Sequence, residues 1–199
     1  MSECTVERFL SDIRNHKLTI LKDDGVYRHL RLQREGSWVY GFDIITYPGH
    51  LVISGDMGAT VFARINDMFR FFREDITPTE IRINPGYWRE KIKSGRDDVY
   101  TFTEEAFRRQ VMSNLEDIKE DVENFADLIE SIEDDIFSHD GEHDLRRALA
   151  DFEWQGEPLF SDTWEWDFCE YKFHYIWQCY AIVWAIAQYD LAKNQEAAV

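Results

Sequence analysis

Proline and glycine are scarce in this chain of 199 residues, at four and ten. No Pro/Ser/Gly-rich stretch divides it into tethered domains. Cysteine is scarcer still: Cys4, Cys169 and Cys179 are odd in number and far apart. They form neither a C-x-x-C pair nor a disulfide framework, so a reducing cytosolic setting is expected. The opening residues, MSECTVE, are acidic and lack the apolar run of a secretory signal. A membrane span requires ~20 apolar residues with few polar interruptions. The best candidate, 173–189, contains His174, Gln178 and Gln188 and is flanked by Glu170, Lys172 and Asp190, so it reads as a buried helix of a soluble protein. No internal repeat, phosphate loop or nucleotide fingerprint is present.

Basic residues are the most unevenly missing class. Residues 1–100 hold 15 Lys+Arg against 15 Asp+Glu, whereas 101–199 hold 7 against 24, which is the whole net charge of −17. Lys119 is the one Lys or Arg between Arg109 and Arg146. What is abundant is aromatic: seven Trp, nine Tyr and fourteen Phe supply a large core, which excludes a disordered acidic tail. The aromatic run Trp164, Trp166, Phe168, Tyr171, Phe173, Tyr175, Trp177, Tyr180, Trp184 and Tyr189 reads as core rather than a ligand box. Trp164 and Trp166, at the entrance to the last helix beside acids, could line an interface.

Periodicity orders the chain as α+β. Thr5 or Ser2 can cap a short helix carrying Val6, Phe9, Leu10 and Ile13. Alternating runs at 17–22, 26–33, 38–46, 51–54 and 60–63 are separated by turn signals at 23–25, Gly36, Pro48-Gly49 and 55–58. About five short strands in an antiparallel β-meander are expected. A type I′ or II′ hairpin would account for Gly55 and Gly58. Asn66 can cap a helix holding Met68, Phe69, Phe71 and Phe72. The stretch 80–83 is a strand or an extended link, and Pro85 starts a further helix. Beyond the polar turn KSGRDD at 93–98 the reading is helical. Thr101 or Thr103 caps a helix in which Phe107, Val111, Leu115, Ile118, Val122, Phe125, Ile129, Ile132 and Ile136 recur at steps of three or four. With no Pro or Gly from Thr101 to Asp140, this predicts one long helix, ended or bent at 138–141. A short helix at 142–152, a loop at 154–161 and a buried aromatic helix from about 163 to 193 follow. The expected arrangement is a net-neutral antiparallel sheet with flanking helices (1–98) and an acidic helical layer (99–199), packed as one unit.

On that long helix Glu116, Glu120, Glu123, Asp127, Glu130 and Asp134 follow steps of 4, 3, 4, 3 and 4, which places them on one face. Asp117, Asp121, Glu133 and Asp135 widen the stripe. Like charges at i,i+4 cost a helix ~0.2–0.5 kcal/mol each, so stability alone would have interspersed lysines. Neighbouring carboxylates about 5–6 Å apart approximate the spacing of strand phosphates. The surface repels nucleic acid itself, and the partner it suits is a basic nucleic-acid-binding protein or complex. A solvated helix face is the bland alternative. No cofactor is implied. Carboxylates in line make no metal cage.

Other constellations are weaker. His139 and His143 are four apart and would share a metal on a helix, but Gly141 lies between them and H-E-x-x-H is absent. A polar corner with Asp140 capping the next helix is the competing reading. His29, Asp43, His50 and Asp56 could form an acid–base site in a cleft beside the sheet, which is the basis of a rival reading as a small enzyme. Cys169 and Cys179 read as buried apolar residues, and Cys4 as exposed near a terminus. The apolar seam could also seal a homodimer.

The segments FDIITYPGHLVISGDMG (42–58), DMFRFFR (67–73) and NPGYW (84–88), with DDGV at 23–26 and YAIVWAIAQYD at 180–190, resemble an uncharacterised family of small accessory proteins of tailed phages and prophages. No catalytic residues carry over. The resemblance implies a context, the cytosol of an infected bacterium, where such genes encode inhibitors of host defence of the anti-CRISPR or anti-restriction type. A virion structural or assembly protein is the third reading, after the inhibitor and the small enzyme.

Overall fold

The computed structural model describes residues 4–73, 76–77 and 80–197; Ser2 lies outside them. The fold is α+β and forms two compact units: Met1–Val99 with Tyr171–Val199, and Tyr100–Glu170. The last helix is grouped with the sheet rather than with the acidic region.

The first unit opens with α1 (Val6–Ile13), capped by Thr5, whose hydroxyl accepts from the Arg8 N–H. The meander follows: β1 (Lys17–Asp24), β2 (Tyr27–Arg34), β3 (Ser37–Tyr47), β4 (His50–Gly55) and β5 (Gly58–Ala63), each antiparallel to the next. Next come α2 (Met68–Arg73), a two-residue ladder of β6 (Ile76–Thr77) and β7 (Glu80–Ile81), α3 (Pro85–Arg89), and β8 (Ile92–Ser94), which adds to the free edge of β5. Alternation sends Leu30, Leu32, Phe42, Ile44, Leu51, Ile53 and Phe62 to one fully buried face. That face meets α7 (Phe173–Ala197), which is buried almost all round through Trp177, Cys179, Ile182, Val183 and Ile186. Trp177 sits edge-on to Phe9 and Phe42. Gln178 donates to the Met57 carbonyl and accepts from the Thr60 hydroxyl, which satisfies both polar groups in the interior.

Several local expectations change. Asp67, not Asn66, serves the start of α2: its carboxylate accepts from the Phe69 N–H and holds the buried Arg28 guanidinium in two hydrogen bonds of 2.9 and 3.2 Å. The β4–β5 turn has positive φ at Gly58 alone, so its two central residues do not adopt the I′ or II′ form. Gly55 is required for a different reason: a Cβ there would meet the Gly41 carbonyl at 2.2 Å. Cys4 is buried, not exposed, and burial pushes its thiol up to about 12. The last helix starts at Phe173, because a 3-10 turn at Thr163–Glu165 and strand β12 (Cys169–Tyr171) occupy the expected first turns.

The second unit runs from β9 (Tyr100–Phe102), paired with β12, through α4 (Glu104–Ile118), α5 (Phe125–Asp135), α6 (Glu142–Asp151) and a small hairpin of β10 (Glu153–Trp154) and β11 (Glu157–Pro158). Thr103 caps α4 by accepting from the Ala106 N–H. The helix expected to run unbroken through 101–139 is two helices, parted at 119–124, with Asn124 in the left-handed region at φ 59°. Asn tolerates that conformation. A continuous helix would hold Arg108 and Glu133 about 37 Å apart, yet they form an ion pair, and Phe107 meets Phe137 at 6.1 Å. The seam residues Phe107, Val111 and Leu115 therefore close onto Leu128, Ile132 and Ile136, joined by Leu145, Leu149, Phe152 and Phe168. Burying both faces against each other supplies hydrophobic free energy that a lone extended helix forgoes.

Candidate functional site

The second unit contains 22 Asp+Glu and 5 Lys+Arg, so it carries the full −17 and leaves the first unit at zero. Each of the five cations is already engaged with a carboxylate of the same unit: Arg108 with Glu133, Arg109 with Glu170, Lys119 with Glu116, Arg146 with Glu142 and Arg147 with Asp151. The surplus of negative charge is thus unrelieved by any cation of the unit itself. The ten residues of the expected stripe are all exposed. Their layout is different from a straight rod. Glu116 and Asp117 end α4; Glu120, Asp121 and Glu123 lie in the turn; Asp127, Glu130, Glu133, Asp134 and Asp135 ride on α5. Only Asp127, Glu130 and Asp134 keep the helical 3,4 spacing on one face. Glu116 and Glu133 have cation partners and Asp135 accepts from Ser131. The other seven have no ion pair among the described residues.

The unit has its own core, which decides how the seam is used. Phe107, Val111, Leu115, Leu128, Ile132 and Ile136 are at most 1% exposed within it. Of the apolar stripe that suggested a dimer seam, Phe107, Val111, Leu115, Ile132 and Ile136 are used inside the fold, and Ile118, Val122, Phe125 and Ile129 are partly buried against the same core.

The remaining candidate groups are scattered or occupied. His139 lies in a bend after α5 and His143 in the first turn of α6, where it pairs with Asp144; the two do not share a helix. Gly141, not Asp140, is the residue preceding α6. His139 and Asp144 line a shallow cavity of about 490 Å³ with Arg147 and Asp151, which are paired with each other. Among the described residues no group of three or more His, Cys, Asp and Glu could hold a metal ion.

On the open face of the meander His29 and Asp43 do meet, with Nε2 3.0 Å from Oδ2. Arg31 grips both oxygens of the same carboxylate at 2.9 and 2.8 Å. Burial acts to raise the Asp43 carboxyl, but hydrogen bonds from Arg31 and His29 outweigh it and hold it below the ordinary carboxylate value. Ser54 stands opposite Asp43 in the register, so the acid lies between hydroxyl and imidazole. A nucleophile–base relay needs the imidazole in the middle. His50 is stacked on Tyr47 at 4.6 Å, and Asp56 accepts from the Tyr40 N–H, securing the bulge where Tyr40 adopts φ 58°. The four groups named as an acid–base site are therefore one ion-paired cluster and two turn-stabilising residues. Burial also raises the Cys169 and Cys179 thiols, which keeps both in the poorly nucleophilic thiol form.

Of the two tryptophans expected either in the core or at an interface, one is packed and the other is not. Trp166 packs against Phe160 and Phe168, while Trp164 is 75% exposed. Among the described residues no helix is long and apolar enough to cross a membrane. Comparison of the chain with protein-family models, curated proteins and solved structures gave no match.

Proposed function

We infer that this chain is a non-enzymatic inhibitor whose acidic unit occupies a basic nucleic-acid groove of a host protein or complex. In the phage context implied by the segment resemblance, the target is a nucleic-acid-targeting defence complex of the anti-CRISPR or anti-restriction class. The observation that carries this reading is the confinement of the whole −17 to one unit with its own core, its five cations all internally paired. Such a field steers a cationic partner over roughly a Debye length, ~10 Å at 0.1 M salt. Exposed carboxylates on α5 and in the 119–124 turn then make rim contacts to Lys and Arg. The neutral sheet unit is a scaffold or a second contact.

The test is capture of partners by the tagged full chain in a bacterium with active defence systems, at low and high salt. A parallel capture uses a variant combining Glu123→Lys, Asp127→Lys, Glu130→Lys and Asp134→Lys. Recovery of a DNA- or RNA-handling complex that is lost at high salt and absent with the variant is expected. Binding that survives both treatments would refute the acidic-groove mechanism.

A further inference from the structure

The geometry points to Trp164 as an anchoring contact for an arginine side chain of that cationic partner; the inference rests on the proposed function and names where recognition is made. Binding energy concentrates in a few central residues, among which Trp, Tyr and Arg are enriched. Trp164 is the most exposed of the large hydrophobic side chains described. An exposed Trp on a surface this acidic adds nothing to solubility.

Its display is built by its neighbours. Asp162 adopts φ 54°, and the turn that follows is closed by the Glu165 N–H on the Asp162 carbonyl at 2.9 Å and the Trp166 N–H on the Thr163 carbonyl at 3.3 Å. Trp166 then inserts between Phe160 and Phe168, with centroids at 5.6 and 6.2 Å. One tryptophan fastens the turn to the core and the other, two residues earlier, is left outside. Asp162 and Glu165 flank Trp164 in sequence, are themselves exposed, and have no ion pair among the described residues.

Charge commits the occupant. The unit's own cations are taken, and no Lys or Arg among the described residues lies over the Trp164 ring. A planar guanidinium stacks on an indole face and still offers N–H groups to carboxylates at its edge. An ammonium is more strongly hydrated and makes only a point contact. The same stacking occurs inside the unit, where the Arg146 guanidinium lies 4.5 Å from the Phe168 centroid. An apolar partner at this turn would desolvate the neighbouring carboxylates without compensation.

The test uses the full chain with a labelled nona-arginine peptide and a nona-lysine peptide at fixed low salt. Wild type, Trp164→Ala, Trp164→Phe and the four-lysine variant of the α4–α5 helical hairpin (the hairpin variant) are compared by fluorescence anisotropy, with thermal melting as the fold control. Trp164→Ala is expected to melt like wild type and to weaken nona-arginine binding about tenfold. Trp164→Phe should retain part of it, and nona-lysine should lose less than threefold. The hairpin variant should weaken both peptides alike. Nona-arginine binding unchanged in Trp164→Ala, with the hairpin variant still impaired, would overturn the anchor and leave the acidic-groove reading standing. Equal losses for both peptides would reduce Trp164 to a nonspecific contact and overturn the arginine assignment. Absence of binding to wild type would overturn both readings.

Discussion

The two units hold 17 acidic groups in the first and 22 in the second, and use them in opposite ways. In the first unit 17 cations match them, and the best pairs are bidentate and partly buried. Arg28 grips Asp67 beneath Phe69, Arg31 grips Asp43, and Arg73 grips Asp190 with 2.8 and 2.6 Å contacts. In the second unit the pairs are single contacts between exposed groups, of the kind worth about 0–1 kcal/mol, and most carboxylates have no cation partner among the described residues. Charge in the first unit is part of how the fold is held. Charge in the second is tolerated by a fold held through its apolar core, and the proposed function assigns its use to a partner.

The contrast can be broken by substitutions of opposite kinds. Asp67→Ala strands a guanidinium that is 8% exposed and should cost the first unit about 3–5 kcal/mol. In the second unit the comparable loss, about 3–5 kcal/mol, should come from an apolar change, Phe107→Ala. Thermal and urea unfolding of the full chain measures both. A small effect of Asp67→Ala would remove charge from the scaffold's stability.

Acidification sharpens the difference. Burial tends to raise Asp67, but Arg28 and the Phe69 N–H outweigh it and hold its carboxyl below the ordinary value; Asp43 and Asp23 are lowered in the same way by their partners. The native state thus binds fewer protons than the unfolded chain in that window. Stability is complete above the ordinary carboxylate value and is lost as pH falls through it toward the lower folded values. Unfolding followed by near-ultraviolet circular dichroism from pH 6 to 3 should show this loss, and Asp67→Asn should flatten the slope.

Smaller effects belong to the acidic surface. Glu130→Lys and Asp134→Lys should each change stability by no more than about 0.5 kcal/mol, in either direction, while abolishing partner capture. Raising salt from about 0.05 to 0.5 M should stabilise a fragment spanning 100–170 by a few degrees, because screening relieves its self-repulsion. A fall in melting temperature would contradict that.

Much of this was readable from residues alone, and the failures have identifiable causes. Strict alternation reported the five meander strands, and Thr103 followed by two glutamates marked the start of α4. The break at 119–124 was hidden because Ile118, Val122, Phe125 and Ile129 stay in phase across it: turn and helix residues alike pack on one core. Asn124 is the one local signal, and an Asn within a periodic run is weak. The charge split was legible because composition survives any folding. Its confinement to a single unit was not, because 171–199 return to the sheet through contacts distant in sequence. The His29–Asp43 contact and Arg31's hold on the same carboxylate both needed the register, which sets Arg31 directly opposite Asp43 and His29 two places along the strand.

The central claim is that the acidic unit and nucleic acid compete for one basic site. The direct measurement is to load the captured host complex with the chain and titrate the nucleic acid that the complex normally binds, following both ligands by separate labels. Mutually exclusive occupancy, with the chain released as nucleic acid binds and the balance shifted by the four-lysine variant, is the predicted result. A stable ternary complex holding both at once would contradict it.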